Sequence, residues 1–245
     1  MTAPDNRWVV VSGAGGVLGR ALVSHFAAKG SRVLALDRKF DAAAPLSGVT
    51  ARPVDLLIEA DVRQALADAI PASEPIALLI NAAGLIWNEP VLALRGAKFS
   101  THGLESFRGV IDANLTAPFV AATQVAARMV RRGGGSIVNF SSIASEGNAG
   151  QAAYGAAKAG IEGLTRTMAI ELGPLGVRVN ALALGFIDVA TTRNAVADER
   201  LQAYAQKTPL GRLGQVQDVI NAIEFLAANT FANGTIVKLD GGLRL

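Results

Sequence analysis

The 245-residue chain is predicted to fold as one α/β domain with a parallel, doubly wound sheet covered by helices on both faces. Short apolar runs alternate with helix-length amphipathic segments from end to end, the rhythm of repeated βαβ units. The composition is 51% hydrophobic but only 5% aromatic, so the core is built from Ala, Val, Leu and Ile, as in a sheet buried on both faces. No internal repeat or low-complexity linker divides residues 1–245, and that length buries a full core.

Taken in order, Trp8–Ser12 is the first strand and Gly19–Lys29 the first helix. Val33–Asp37 is the second strand, and a weaker one covers Thr50–Val54 before a helix over Ala60–Ala69 that Asp61 is placed to cap. Strand Ile76–Asn81 leads into Leu85–Gly103, which has several turn formers and no clear period and reads as a long loop. That loop follows a strand's carboxyl end, where open α/β sheets bind ligands, so residues 85–103 are assigned to substrate. Helix Leu104–Arg131, strand Ile137–Ser141, helix Ala152–Leu172 and strand Val177–Leu184 follow. The polar helical stretch Ile187–Pro209 is placed to close over the site as a lid, ahead of helix Val216–Ala228 and strand Thr235–Asp240.

The absence of cysteine excludes disulfides and thiolate metal sites, and no metal ligand is assigned. Net charge is +3, from 23 basic and 20 acidic residues, and the only compact basic cluster is Arg131-Arg132 beside Gly133. Without a basic stripe or an aromatic-interleaved patch, nucleic acid is not an expected partner. No apolar run reaches the ~18 residues of a membrane span, Asn81 and Gly84 breaking the longest one. The start, Met-Thr-Ala-Pro-Asp-Asn-Arg, has no basic region followed by an apolar stretch, so the expectation is a soluble, cytoplasmic protein.

Chemistry concentrates at two places. In Ser12-Gly-Ala-Gly-Gly-Val-Leu-Gly19 a strand runs into a helix N-terminus, where backbone N–H groups accept a pyrophosphate. A tight connection that needs only small residues gives the same pattern, whereas a P-loop fails because Arg20-Ala21 follow Gly19. Eighteen residues on, Asp37 ends the second strand, where a carboxylate accepts both adenosine ribose hydroxyls and repels a 2′-phosphate. NAD is therefore favoured over NADP. Arg38 and Lys39 keep NADP open, and a solvated turn residue is the plain reading of Asp37.

The second place is Tyr154 and Lys158, an i,i+4 pair on one helix face. A phenol with a pKa near 10 needs roughly 4 kcal/mol to reach 7, and a cation ~5 Å away at an effective dielectric of ~20 supplies about 3. The expectation is a phenol lowered toward neutrality by its lysine.

With these motifs the chain resembles the short-chain dehydrogenase/reductase family from Trp8 to Asp240. Ser12-Gly-x-x-x-x-x-Gly19, Asp55-Leu56, Asn81-Ala-Ala-Gly84, Asn114, Ser141-Ser142, Tyr154-x-x-x-Lys158 and Asp240-Gly241-Gly242 stand in the family's order. The resemblance implies a Rossmann-like fold with a seven-stranded sheet, a homotetramer, and hydride transfer between a nicotinamide and a secondary alcohol or ketone. By position, Tyr154 is the general acid or base, Lys158 lowers its pKa and holds the nicotinamide ribose, and a serine hydroxyl binds the carbonyl oxygen. Asn114 resembles the residue that interrupts its helix to place a water near the lysine. Asp55 and Leu56 match the adenine contact, Asn81 braces the central strand, and Ala82, Ala83 and Gly84 line the cofactor. Gly13, Gly16, Val17, Leu18, Gly185 and Ile187 complete the cofactor set.

The serine is ambiguous. Counting back thirteen residues from Tyr154 gives Ser141, whereas aligning the strand end gives Ser142 with one residue deleted from the following loop. Loops absorb deletions better than strands, so Ser142 is chosen. Three departures bear on cofactor affinity: Val17 replaces the family's middle glycine, Leu184-Gly185 its Pro-Gly, and Val189 a threonine.

Glu146-Gly-x-x-Gly-Gln-Ala-Ala-Tyr154, the tail from Asn229 to Arg244 and the lengthened loop after Gly84 look most like type II 3-hydroxyacyl-CoA dehydrogenases. A 3-hydroxyacyl-CoA is thus the first substrate expectation, with Arg95 and Lys98 as mouth residues or simply solvated charges. A polyol, a steroid and a 3-keto-ester stay open, as does a non-catalytic dinucleotide sensor. A hydrolase does not fit: no Gly-x-Ser-x-Gly occurs, and His25 and His102 have no evident partners.

Overall fold

A computed structural model of the chain describes residues 7–40, 46–195 and 198–244. Residues 1–6, on which the reading of the N-terminus rests, lie outside them. The elements run β1 (Trp8–Ser12), α1 (Val17–Ala28), β2 (Arg32–Asp37), β3 (Val49–Pro53), α2 (Glu59–Ala69), β4 (Ile76–Asn81), β5 (Leu92–Arg95) and β6 (Lys98–Thr101). They continue through α3 (Leu104–Ile111), α4 (Ala117–Val130), β7 (Gly135–Ser142), α5 (Ala152–Leu172) and β8 (Val177–Leu184). The last are α6 (Ala190–Ala195), α7 (Asp198–Lys207), α8 (Val216–Ala228) and β9 (Ile236–Leu239).

Seven strands form one parallel sheet in the order β3-β2-β1-β4-β7-β8-β9. The chain winds outward from β1 to β3, then returns past β1 to begin β4, and this reversal opens a crevice at the strands' carboxyl ends. Strand side chains alternate between two buried faces, which is why these runs are continuously apolar. Val10 packs with Leu66 of α2, Val125 of α4 and Met168 of α5, whereas Val9 and Val11 pack with Phe26 of α1 and Ile223 of α8. The expected doubly wound architecture is what the chain adopts.

A polar thread crosses this core. Ser12 donates to Asn81 Oδ1 at 2.9 Å, the Asn81 amide donates to Asn139 Oδ1 at 2.9 Å, and the Asn139 amide donates to Thr165 Oγ1 at 2.9 Å. Every link is buried and partnered, so the thread ties β1, β4, β7 and α5 in one register. Near the basic cluster, Arg128 donates to the carbonyls of Leu66, Ile70 and Pro71, and Arg132 to that of Ala72. These guanidiniums bind the last turn of α2 and the chain just beyond it, at the helix end where free carbonyls favour cations.

Three expectations are corrected. The stretch 85–103 is not wholly a loop: β5 and β6 pair antiparallel with Leu94 opposite Phe99, joined through Gly96 at φ 64. A two-residue turn with a left-handed glycine fits a hairpin. The single helix Leu104–Arg131 is interrupted, because Asp112–Thr116 is a π-helical turn between α3 and α4. Asp61 does not cap α2; Ile58 is the N-cap, and Asp61 lies in the first turn, where its charge faces the positive helix end. The stretch 187–209 holds two short helices, α6 and α7, with Phe186 stacked on Tyr204 at 4.1 Å between ring centres. No helix of the described residues is long and apolar enough to cross a membrane.

Candidate active site

The carboxyl ends of β1, β4, β7 and β8 and the amino end of α1 surround a cleft of about 500 Å³. Gly13, Gly16, Val17, Leu18 and Gly19 line it from the first turn, Ala82, Ala83 and Gly84 from the end of β4, and Gly185 and Ile187 from beyond β8. Gly13 is needed for close approach: at φ 71, a Cβ there would sit 2.4 Å from the Ala83 backbone nitrogen. Gly16 starts α1 without a side-chain cap, so first-turn N–H groups at the cleft wall have no side-chain acceptor. Val17, at the family's glycine position, lines the cleft and packs against the core.

Five of the expected cofactor residues stand off the cleft lining. Ser12 and Asn81 spend their side chains on the core thread. Leu56 is buried, and Asp55 accepts the Leu57 N–H at 3.0 Å. Asp37 ends β2 beside the glycine turn, accepting the N–H of Gly15 at 2.9 Å and that of Arg38 at 2.7 Å.

Asn114, Ser142, Tyr154 and Lys158 all meet in the cleft. The π turn explains Asn114. Its amide donates to the Val110 carbonyl at 3.0 Å, one helical turn back, and to the Leu85 carbonyl at 2.8 Å, while its Oδ1 accepts the Leu85 N–H at 3.2 Å. A buried side chain thus ties the widened helical turn to the loop leaving β4, and π turns of this kind recur at functional sites. A Cβ on Gly84 would lie 2.8 Å from Asn114 Oδ1 and 3.6 Å from Lys158 Nζ, so Gly84 leaves room where the two meet.

Lys158 is buried and donates to the Phe140 carbonyl at 2.8 Å, with Nζ 5.5 Å from the centre of the Tyr154 ring. Burial pushes the lysine down to about 8. Burial likewise pushes the Tyr154 phenol up to about 12, opposed by a hydrogen bond from Ser142. The expected drop toward 7 is therefore not met. The ammonium is engaged by a carbonyl, and desolvation of the phenol outweighs what lowers it. Tyr154 opens onto the cleft and keeps partial solvent access, which tempers that desolvation.

The two serines face opposite ways, as adjacent strand residues must. Ser142 accepts the Ala144 N–H at 3.2 Å and bonds the Tyr154 phenol. Ser141 turns to α5, 3.2 Å from the Lys158 carbonyl and 2.9 Å from Glu162 Oε1. Not singled out in the sequence were Asn148, Gln151, Phe140 and Phe186, which also line the cleft. Gln151 lies in the run that carries Tyr154, and that proximity was its signal.

Both histidines do have partners, a correction of the sequence reading. His25 lies 2.9 Å from Glu224 Oε1, and His102 Nδ1 lies 3.0 Å from the Glu89 carbonyl. Those partners come from segments far along the chain or across the hairpin, and neither ring lines the cleft. Glu89 is the hub of the loop after β4: hydrogen bonds from Trp87, Ser106 and the Gly103 N–H hold its carboxyl down to about 2.

Comparison with known proteins places residues 13–244 on the family model described as Enoyl-(Acyl carrier protein) reductase. The 3-oxoacyl-[acyl-carrier-protein] reductase of Synechocystis is 34% identical, covering 99% of each chain. The crystal structure of 3-hydroxyacyl-CoA dehydrogenase type-2 from Mycobacterium avium superposes with a TM-score of 0.87 at 28% identity, covering 100% of this chain and 98% of that one. A gluconate 5-dehydrogenase from Burkholderia cenocepacia, in complex with NADP and tartrate, gives 0.86 at 29% identity, covering 98% and 96%.

Proposed function

The chain belongs to the short-chain dehydrogenase/reductase family, and we propose that within it this protein reduces a 3-oxoacyl thioester, reversibly, with NADH as preferred cofactor. The single observation that carries this reading is the phenol of Tyr154 at the cleft wall, hydrogen-bonded to Ser142 and with Lys158 Nζ 5.5 Å from its ring centre. A phenol so placed holds its proton at neutral pH and is ready to give it to a carbonyl oxygen gaining charge.

The cleft fits a nicotinamide dinucleotide. The uncapped first turn of α1 offers N–H groups to a pyrophosphate, and Asp37 beside the turn offers acceptors to ribose hydroxyls. Asp55 and Leu56 flank the adenine side, with Gly185 and Ile187 at the nicotinamide end. The bound cofactor supplies the hydride. Tyr154 Oη gives up the proton, and Ser142 Oγ hydrogen-bonds the substrate oxygen as charge develops there. Lys158 keeps a positive charge below the phenol and holds the nicotinamide ribose, and Asn114 fixes the loop that closes this end.

An acyl substrate is supported by the apolar wall of Leu85, Ile86 and Ile143, and by the substrates named for the Synechocystis and Mycobacterium relatives. A polyol or sugar acid is the second reading, favoured by the Asn148 and Gln151 amides and the gluconate dehydrogenase neighbour. It ranks lower because these amides are already spent: Asn148 donates to Gln151 at 3.0 Å, and Gln151 to Asn88 at 2.8 Å. One domain spanning residues 1–245, assembled as a homotetramer, completes the proposal; exposed Phe119, Ile170 and Phe231 are apolar groups that subunit contacts would cover.

The test is a panel of 3-oxoacyl-CoA, sugar-acid, polyol and steroid ketones assayed with NADH and NADPH. Fastest turnover of the thioester with NADH supports the reading. NADH binding without turnover of any ketone points to a sensor instead.

A further inference from the structure

Glu162 lies one helical turn beyond Lys158 on α5, behind the cleft wall. Its side chain is 18% exposed. One oxygen, Oε1, accepts the hydroxyls of Ser141 at 2.9 Å and Ser145 at 2.7 Å, and Arg166 reaches the other at 3.4 Å. These two serines bracket Ser142. Ser141 precedes it at the end of β7, and Ser145 follows in the 3₁₀ turn Ile143–Glu146 that Ser142 caps.

Hydrogen bonds from hydroxyls to a carboxylate are short and about twice as strong as neutral ones. Two of them on one oxygen join a strand end and the next turn to a helix, with the reacting hydroxyl between. The same turn packs tightly on α5, since a Cβ on Gly155 would sit 2.7 Å from the Ala144 carbonyl oxygen. Among the described residues, Ser142 itself has the Ala144 N–H and the phenol as its partners. Its location is therefore set by its neighbours.

We propose that Glu162 is a positioning residue for ketone reduction, holding Ser142 against Tyr154 by clamping Ser141 and Ser145. The proposal rests on Ser142 being the hydroxyl that binds the carbonyl oxygen. A misplacement of about 1 Å in such a group costs as much as 10²-fold in rate, so a small relaxation of the clamp has a large readout.

The experiment compares wild type, Glu162→Ala, Glu162→Gln and the double variant Ser141→Ala/Ser145→Ala, which keeps the carboxylate and its charge. Two readouts are taken: kcat and KM for the ketone, and the ¹³C resonance of the tyrosine ring Cζ. The chain has only two tyrosines, Tyr154 and Tyr204, so the second is an internal reference. The expected result is a fall of roughly tenfold or more in kcat for Glu162→Ala and for the double variant, with KM and NADH binding within about twofold. In both, the Tyr154 resonance moves while that of Tyr204 stays. Glu162→Gln, which retains an acceptor oxygen, restores most of the rate and the resonance.

An unmoved Tyr154 resonance in the double variant overturns the proposal, as does Glu162→Gln falling as far as Glu162→Ala. Should Glu162→Ala fail to fold, the double variant decides alone. If wild type reduces no ketone, the functional reading fails, while the resonance comparison still decides the clamp.

Discussion

The Lys158 ammonium lies 5.5 Å from the centre of the Tyr154 ring and donates to the Phe140 carbonyl, not to the phenol. The two groups move in opposite directions from their ordinary values, the lysine down to about 8 and the tyrosine up to about 12, both through burial. Below about pH 7 the pair therefore stands as ammonium and neutral phenol, the protonation state that ketone reduction requires.

The pH dependence follows. Reduction is expected to be fastest below about pH 8 and to fall above it as Lys158 loses its charge. Alcohol oxidation needs the phenol as base with Lys158 still charged, so it is expected to rise with pH to about 8 and then level, as further loss of the phenol proton is offset by loss of the lysine charge. Rate profiles of kcat in the two directions check this. A reduction rate climbing steadily from pH 8 to 10 would contradict it.

Lys158→Met is expected to abolish turnover and to stabilise the fold. The folded-state pKa lies below the ordinary lysine value of 10.5, so the unfolded chain binds more protons between about pH 8 and 10.5. Stability contributed by this group therefore rises with pH through that window, and the cost of the buried charge is fully present below it. Removing the charge at pH 7 gains on the order of 1 to 3 kcal/mol, a rise of several degrees in Tm. The gain shrinks as the pH approaches 10.5. Thermal melts at pH 7 and 10 measure the difference, and a lower Tm at pH 7 would be the wrong sign.

Asp37→Ala is expected to weaken NADH binding by tenfold or more, since hydrogen bonds to a charged group contribute about 1.5 to 3 kcal/mol. NADPH binding changes less, because the carboxylate that repels a 2′-phosphate is gone. Fluorescence titration with both cofactors gives the ratio. An unchanged ratio removes Asp37 from cofactor choice.

The doubly wound sheet was legible because strands such as Val9-Val10-Val11 are buried on both faces and read as unbroken apolar runs. The hairpin at Leu92–Thr101 was not. Its alternation carries Leu92, Leu94 and Phe99, but these side chains are 54%, 64% and 70% exposed, so no buried face disciplines the pattern. The interruption at Asp112–Thr116 was half legible: the resemblance pointed to Asn114, while helical periodicity passes through a π turn almost unchanged. Spacing brought Tyr154 and Lys158 together correctly but gave the wrong direction for the phenol. Sequence separation carries the charge and not the desolvation or the Phe140 carbonyl that competes for it. The choice between Ser141 and Ser142 turned on which way a strand residue faces, and Glu162, the partner of Ser141, offered no motif at all.

The most direct test of a proton-donating Tyr154 is Tyr154→Phe, assayed for NADH-dependent reduction of a 3-oxoacyl-CoA and, separately, for NADH binding. Loss of turnover by at least about 10²-fold with NADH affinity within about twofold is the expected result. Turnover equal to wild type would contradict it, since phenylalanine has no proton to give.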